Sequence, residues 1–330
     1  MNAVASLVRF LRPATDLVPL CSFNRMGFEL NRRGFEPDDL PRDVGGRVAL
    51  VTGANSGIGR ATSLGLARRG FVVWMLCRDA ARGVEARDAI ARESGNARVH
   101  FGLVNLSSVA SIRRFVDEFA APRVDVLVHN AGVLPHDKQL VDGVELTFAT
   151  NVLGPFALTR LLGERLSRSS DARVIFVASG GLYLQRLDLS LLDVDAARFD
   201  GPRAYANAKR AQVVLAHVLA ELSPDGRPIT FASMHPGWAD TRAVRSSLPK
   251  FHAIMRPLLR SAEQGADTVV WLAASARASG TRGAFWFDRR VAPEYPLPWT
   301  RERSGVREDL LTLCEKLSGV ALESSRRELA

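Results

Sequence analysis

Short apolar runs alternate with longer segments of mixed polarity along most of this chain. From residue 47 onward, five runs are rich in valine, leucine and isoleucine. They are RVALVTG (47–53), FVVWMLC (71–77), RVHFGLVNL (98–106), VDVLVHN (124–130) and ARVIFVAS (172–179). Runs that are mostly apolar, rather than strictly alternating, are typical of strands buried on both faces of a parallel sheet.

Segments with helical spacing separate these runs. They cover 57–69, 79–94, 109–120, a long stretch 144–167, 202–222 and 262–275, with a further strand at 227–233. The alternation predicts an α/β fold: a single doubly wound parallel sheet, Rossmann-like, with helices on both faces and ligands at the carboxyl ends of the strands. We expect this domain to span 45–290. A leader with short helices (1–44) precedes it, and an extension with a helix (291–330) follows.

A glycine-rich turn follows the first predicted strand directly. Its candidate cofactor-binding residues are Gly53, Asn55, Ser56, Gly57, Ile58 and Gly59. Gly53 allows a tight turn, Gly57 lets a pyrophosphate approach the backbone, and Gly59 lets the helix pack against the strand. Amide groups at the start of the helix then face the anion. The position of the turn between a strand and a helix predicts a dinucleotide site.

The end of the second strand indicates which dinucleotide binds. A carboxylate there would hold the ribose hydroxyls and repel a 2′-phosphate. Position 77 is instead a cysteine, Arg78 follows it, and Arg60 comes from the same region just after the glycine turn. Two guanidinium groups favour NADP(H). Asp79, the next residue, keeps NAD(H) open as the alternative.

Tyr205 and Lys209 form the candidate catalytic pair. They lie four residues apart at the start of a predicted helix and therefore share a face. A nearby ammonium lowers the pKa of a phenol by favouring the phenolate, which brings proton transfer into range near neutral pH. Such a pair arises rarely by chance in a chain with three tyrosines and four lysines. Ser179, at the end of a strand, is placed to donate a hydrogen bond to a substrate carbonyl.

Together these motifs resemble the short-chain dehydrogenase/reductase family over about residues 45–290, in the subtype with T-G-x-x-x-G-I-G, N-A-G and Y-x-x-x-K. The resemblance implies a catalytic tetrad of Asn151, Ser179, Tyr205 and Lys209, with the asparagine holding a water that relays protons to the lysine. It also implies a homo-oligomer. Besides Tyr205 and Lys209, the further cofactor contacts that it implies are Asn105, Leu106, Asn130, Ala131, Gly132, Pro236, Gly237 and Thr241.

Three features depart from the family's pattern. Asn105 stands where aspartate is usual, and His129 replaces the first asparagine of N-N-A-G. Twenty-six positions separate Ser179 from Tyr205, more than in many relatives, and this insertion resembles the retinol-dehydrogenase-like branch. It would reshape the substrate entrance. The apolar residues that we expect there are Leu182, Tyr183, Trp238 and Phe251.

We therefore expect an NADP(H)-dependent oxidoreductase that moves a hydride between the nicotinamide and the carbonyl or alcohol of an apolar small molecule, such as a lipid-like aldehyde, a retinoid or a steroid ketone. The alternative is an NADP(H)-binding sensor or scaffold with little turnover. A sugar-nucleotide epimerase on a related fold usually shows T-G-x-x-G-x-x-G, which this chain lacks. Strings at 233–241, 263–268 and 287–289 resemble one subgroup of the family more closely.

Composition narrows the partners and the compartment. The 330 residues carry a net charge of +9, but the basic residues are spread along the chain and form no stripe for nucleic acid. Three scattered cysteines suit a reducing compartment and suggest no metal site. Arg9, Arg12 and Pro13 interrupt the apolar N-terminus, so we expect neither a signal peptide nor a spanning helix. A cytoplasmic protein is expected, with peripheral membrane contact through residues 1–44 as the alternative.

Overall fold

The computed structural model describes residues 22–36, 39–223, 229–247 and 249–321. A large central sheet and a small hairpin account for the strands within these ranges. The strands are β1 Val48–Thr52, β2 Val72–Cys77, β3 Val99–Leu103, β4 Val126–His129, β5 Leu140–Val141, β6 Val144–Glu145, β7 Arg173–Val177, β8 Thr230–Met234, β9 Phe285–Phe287 and β10 Arg290–Val291. The sheet order is β10-β9-β8-β7-β4-β1-β2-β3, and its pairs are parallel except β9 with β10.

Helices cover both faces of this sheet. They are α1 Arg25–Arg32, α2 Gly57–Ala67, α3 Ala80–Ser94, α4 Val109–Glu118, α5 Leu146–Phe148, α6 Gly154–Leu161, α7 Gly163–Ser167, α8 Gly201–Glu221, α9 Arg242–Ser247, α10 Pro249–Met255, α11 Ala262–Ala274 and α12 Val306–Ser318. A π-helical turn, Ala149–Leu153, joins α5 to α6. Short 3₁₀ turns at Gly180–Leu184, Leu189–Leu192 and Ala196–Arg198 fill the insertion before α8.

The apolar strands are buried on both sides, as their composition predicts. On β1, Leu50 faces one cluster, where it packs in the same layer as Phe156 and Leu215. Its neighbour Val51 faces the opposite cluster, which contains Val270. Burying each large apolar side chain stabilises the folded state by about 1.5–3 kcal/mol. Such side chains lie on both faces, so this sheet is the stable centre of the fold. The doubly wound α/β prediction is confirmed.

The prediction of one continuous helix over 144–167 is wrong at both its start and its middle. Val144 and Glu145 pair with Leu140 and Val141 as a hairpin. Asp142 and Gly143 join the two strands at φ values of 51° and 80°, and an Asp-Gly pair is a strong signal for such a turn. The rest of the segment is divided among α5, the π-helical turn, α6 and α7. The hydrogen bonding becomes π-helical at Ala149, and the helix is interrupted at Leu162.

Both flanking segments pack onto the central domain. In the leader, Phe23 accepts a hydrogen bond from the Trp238 amide through its carbonyl oxygen. In the extension, α12 buries Leu310 and Cys314 in the cluster that contains Leu50. Residues 1–21 and 322–330 lie outside the described residues, and the domain bounds 1–44, 45–290 and 291–330 stay a prediction. None of the helices described is both long enough and apolar enough to cross a membrane.

Candidate active site

A cavity of about 560 Å³ opens at the carboxyl ends of the parallel strands. Most of the candidate site residues lie on its wall. The residues that the structure brings together there are Gly53, Asn55, Ser56, Gly57, Ile58, Arg78, Asn105, Leu106, Asn130, Ala131, Gly132, Ser179, Tyr205, Lys209, Pro236, Gly237 and Thr241. Gly59, Arg60 and Asn151 are absent from the cavity wall, and each has a different position that is described below.

The glycine turn has the backbone geometry that a close approach to the chain requires. Gly53 and Gly57 have φ values of 65° and 53°, in the left-handed region that side chains disfavour. A Cβ on Gly59 would lie 2.3 Å from the carbonyl oxygen of Gly53, so this glycine lets α2 pack tightly behind the turn. Ser56, the N-cap of α2, makes no side-chain hydrogen bond to the helix. The first amides of α2 therefore receive no side-chain cap from Ser56, and helix-start amides of this kind can bind an anion.

Side-chain hydrogen bonds fix the N-A-G segment beside this turn. The Thr52 hydroxyl accepts from the amides of Asn130 and Ala131, each at 3.0 Å. The Asn130 amide group donates to the Thr52 carbonyl oxygen at 2.9 Å. The first role of Asn130 is therefore to join the ends of β1 and β4, although it also lines the cavity.

Charged residues gather at one end of the cavity, after β2. Arg78 is exposed and lines the wall, as do Asp79 and Arg82. Asp79 caps α3 by accepting from the Arg82 amide at 3.0 Å, and it also accepts from the Arg82 guanidinium at 2.7 Å. These two contacts lower the pKa of Asp79, first through the backbone bond. Arg60, by contrast, pairs with Glu93 away from the wall, which contradicts its expected place beside the ribose.

Two hydroxyl groups meet at the other end of the cavity. The Ser179 side chain lies close enough to the Tyr205 phenol to lower its pKa through a hydrogen bond, and the Ser179 oxygen accepts from the Gly181 amide at 3.4 Å. Tyr205 lies in the first turns of α8. Asp200 precedes this helix as its N-cap, and the Asp200 side chain accepts from the Arg203 amide at 3.0 Å. The end of β7 and the start of α8 thus place both hydroxyls at one point.

Burial controls the electrostatics of this pair. Lys209 lies 5.5 Å from the centre of the Tyr205 ring and is 2% exposed. Burial raises the pKa of Tyr205 to about 12, and the Ser179 hydrogen bond opposes that rise. Burial lowers the pKa of Lys209 to about 7. The sequence-based expectation of an acidified phenol is therefore not met, because removal from water disfavours both charges and the ammonium donates to the Val177 carbonyl at 2.8 Å.

Asn151 supports the site from behind the wall. Its side-chain oxygen accepts from the Val133 amide at 2.9 Å, and its side-chain nitrogen donates to the Val133 carbonyl at 3.2 Å. Its main-chain carbonyl accepts from Gln212 at 2.6 Å, and the Gln212 oxygen accepts from Lys209 at 3.1 Å. The sequence motifs missed Gln212; its only signal is the i+3 spacing from Lys209, which places both on one helix face.

The wall near the two hydroxyls is apolar. Trp238, Val244, Phe251 and Leu134 line it, and the Trp238 and Phe251 rings meet edge to face at 5.5 Å. The expectation for Leu182 and Tyr183 is wrong. Leu182 is fully buried in a small core cluster, and Tyr183 packs against that cluster instead of lining the cavity.

Thr241 and Asn105, two predicted cofactor contacts, line the cavity and also form hydrogen bonds within the protein. The Thr241 hydroxyl accepts from the Val244 amide at 3.3 Å, and the Thr241 methyl would lie 3.3 Å from a Cβ on Gly57. The Asn105 side chain accepts from the Ser107 amide and hydroxyl at 3.2 and 2.9 Å, so it stabilises its own turn after β3.

Comparison with known proteins agrees with this geometry. A profile of the short chain dehydrogenase family matches residues 47–186. Human dehydrogenase/reductase SDR family member 12 is 43% identical over 303 residues, which cover 91% of this chain and 95% of the relative. The chain belongs to the short-chain dehydrogenase/reductase family. Mouse retinol dehydrogenase 11 is 33% identical over 258 residues, covering 75% of this chain and 79% of the relative. The subgroup that the strings at 233–241, 263–268 and 287–289 resemble is that of member 12. This prediction is confirmed.

Solved structures share the fold of this short-chain dehydrogenase/reductase. An uncharacterized protein from Mycobacterium paratuberculosis aligns with a TM-score of 0.68 and 28% identity, covering 87% of this chain and 99% of that one. A protein from Beutenbergia cavernae, assigned as an NAD(P)-dependent gluconate 5-dehydrogenase with NADP bound at low occupancy, aligns with a TM-score of 0.59 and 26% identity, covering 74% and 96%. This chain is thus a nucleotide-binding oxidoreductase of the Rossmann type.

Proposed function

We propose that this oxidoreductase uses NADP(H) to interconvert a carbonyl and an alcohol on an apolar small molecule, with Tyr205 as the proton donor. One observation carries the proposal: the hydroxyls of Ser179 and Tyr205 meet at the apolar end of a cavity whose other end is basic. Lys209 lies directly behind the phenol. A sensor or scaffold would require none of these three groups together.

The chain's own residues fit a dinucleotide along the cavity. The glycine turn and the uncapped amides of α2 suit the pyrophosphate, because backbone donors there are close and unobstructed. Asn105 and Leu106 suit the adenine end, and the segment from Pro236 to Thr241 suits the nicotinamide end. Lys209 would bind the ribose between them. When bound, NADP(H) would supply or accept the hydride.

The proton steps follow from the two hydroxyls. In the reducing direction, Ser179 donates a hydrogen bond to the carbonyl oxygen and stabilises the charge that develops there. Tyr205 transfers its proton to that same oxygen, which completes the alcohol and leaves a phenolate. The ammonium of Lys209 stabilises this phenolate, and a proton from solvent restores the phenol. With a pKa of about 12, Tyr205 holds its proton until an alkoxide, a stronger base, forms beside it.

NADP(H) is preferred over NAD(H) in this proposal because of the charges after β2. Arg78 is exposed on the wall, and Asp79 is held by Arg82, so that its carboxylate is neutralised locally. A 2′-phosphate would meet guanidinium groups there, with little net repulsion from the acid. The bound NADP of the Beutenbergia cavernae protein supports this preference.

An apolar substrate is proposed because the wall beside the hydroxyls offers aromatic and aliphatic side chains. Trp238, Phe251, Val244 and Leu134 are all of this kind. A charged substrate would lose its hydration there without gaining a partner. The similarity to a retinol dehydrogenase supports an apolar alcohol or aldehyde.

Turnover of a panel of carbonyl compounds tests this proposal. The full chain is assayed with NADPH and NADH against aliphatic aldehydes, retinaldehyde and steroid ketones. We expect NADPH-dependent reduction that Tyr205→Phe lowers by about 100-fold or more, since general acid catalysis contributes about that much. Tyr183→Phe is the matched control, because it removes the hydroxyl of a tyrosine that does not line the cavity. Intact NADPH binding without turnover on any compound would instead support a sensor.

A further inference from the structure

A buried chain of hydrogen bonds connects the candidate proton-transfer pair to the main chain of the π-helical turn. Lys209 donates to the Gln212 side-chain oxygen at 3.1 Å. The Gln212 side-chain nitrogen donates to the Asn151 carbonyl oxygen at 2.6 Å. Gln212 and Asn151 are both fully buried. Water therefore cannot easily replace either bond, and loss of one partner would leave a buried polar group unsatisfied.

The sequence explains why the Asn151 carbonyl is available to a side chain. In an α-helix this oxygen would accept from the amide four residues on. That residue is Pro155, which has no amide hydrogen. The turn around Asn151 is π-helical, and α6 begins only at Gly154. Gln212 on α8 donates to this oxygen, to which Pro155 can give no i+4 bond.

Gln212 also matches the needs of the ammonium. An amide side chain can accept with its oxygen while it donates with its nitrogen, and both ends are used here. Lys209 also donates to the Val177 carbonyl at 2.8 Å. The titratable groups facing it in the described part of the chain are Tyr205 on α8 and His129 on β4. Burial lowers the pKa of His129 to about 3, so that this ring is neutral at working pH.

We propose that Gln212 is a positioning residue of the active site, whose amide bridges Lys209 to the Asn151 carbonyl and holds the ammonium behind Tyr205. The expected effect of Gln212 on turnover rests on the proposed function. Its expected effect on the titration of the Lys209 ammonium does not. The bridge fixes where the charge lies and favours the protonated amine, against the burial that lowers its pKa. Asn151 then acts on the ammonium through its main-chain carbonyl and Gln212.

Lysine NMR measures this effect without any substrate. With four lysines in the chain, lysine labelled with ¹³C and ¹⁵N gives a small set of side-chain signals, and Lys209→Met identifies that of Lys209. The full-length protein is titrated as wild type, Gln212→Leu and Gln212→Glu. Leucine removes the acceptor, so we expect the pKa of Lys209 to fall by about one unit. Glutamate adds an opposite charge, so we expect it to rise by about one unit or more.

His217→Leu is the matched control. It lies on the same helix and removes a hydrogen bond to Glu294 of 2.7 Å, away from Lys209. We expect it to leave the Lys209 titration unchanged. An unchanged titration in either Gln212 variant, with the fold intact by near-UV circular dichroism, would overturn the proposal. So would shifts in the same direction for leucine and glutamate, since a merely structural role predicts no opposite response.

Carbonyl reduction gives the second readout. The pH profile of kcat/KM should lose activity as Lys209 deprotonates, and this alkaline limb should move to lower pH in Gln212→Leu and to higher pH in Gln212→Glu. We expect kcat to fall in Gln212→Leu while the KM for NADPH changes by less than about threefold, the equivalent of under 1 kcal/mol. If wild type turns over no carbonyl compound but the NMR shifts occur, the proposed function fails and the bridge stands.

Discussion

Phe23 gives the leader a measurable role in the active site. It is the first aromatic residue of the described leader and is 4% exposed. Its ring lies 4.5 Å from His235, 5.3 Å from Phe287 and 5.8 Å from Trp238. Its carbonyl oxygen accepts from the Trp238 amide at 2.8 Å. The leader therefore supports the residue that forms part of the apolar wall.

Phe23→Ala should lower the free energy of unfolding by about 3–5 kcal/mol, the usual loss for truncating a buried phenylalanine. Near the wall, the same change removes an edge-to-face contact with Trp238. Such contacts contribute about 0.5–1.5 kcal/mol, which corresponds to an increase of about 2- to 12-fold in the KM for an apolar substrate. The KM for NADPH should change little, because Phe23 does not line the cavity.

Phe28→Ala provides a matched control for this experiment. Phe28 is equally buried, lies on α1, and packs against Phe35 and the Arg260 guanidinium. We expect a comparable loss in urea unfolding without the increase in substrate KM. If the two variants raise the KM equally, or if neither does, then the leader stabilises the fold without shaping the substrate wall.

Three further changes probe separate parts of the site. Arg78→Asp should raise the KM for NADPH about tenfold or more and move the preference towards NADH, since a charge-assisted bond contributes about 1.5–3 kcal/mol; steady-state kinetics with both cofactors decides this, and tighter NADH binding in the wild type would contradict it. Gly59→Ala should weaken NADPH binding in fluorescence titrations and destabilise the fold by about 1–3 kcal/mol, because its Cβ would meet the Gly53 carbonyl, whereas Gly163→Ala has open space and should not. Lys209→Met should abolish turnover, and its free energy of unfolding relative to wild type should be higher at pH 6 than at pH 9. The folded pKa of about 7 lies below the ordinary value of 10.5, so burying the ammonium is unfavourable at low pH, and this penalty shrinks between about pH 7 and 10.5. Urea unfolding at pH 6 and 9 measures this, and an equal difference at both would contradict it.

The sheet and most of the candidate site could be predicted from the sequence because both depend on local patterns. Buried strands such as 47–53 and 172–179 are apolar on both faces whatever they pack against, and the carboxyl ends of parallel strands must lie along one edge. Gly53 and Ser179 therefore had to lie near each other once the strand order was that of a doubly wound sheet. The Asp142-Gly143 turn was equally local, and its dipeptide predicts the hairpin that a purely periodic interpretation missed.

What the sequence could not provide depends on contacts between distant segments. Arg60 and Arg78 are alike in composition and in nearness to the glycine turn, but only the fold shows that Glu93 on α3 pairs with the first. The phenol of Tyr205 has a cation four residues away in either description, yet the sign of its pKa shift depends on how completely water is removed.

Gln212 shows the same limit at the catalytic centre itself. Nothing in Y-x-x-x-K marks a glutamine three residues later, and an isolated helix would present it as one more polar position. It becomes part of the site because α8 crosses the π-helical turn where the Gln212 amide can donate to the Asn151 carbonyl, an oxygen to which Pro155, 57 residues earlier, can give no i+4 bond. Two segments far apart in the sequence thus meet at one carbonyl oxygen beside the lysine.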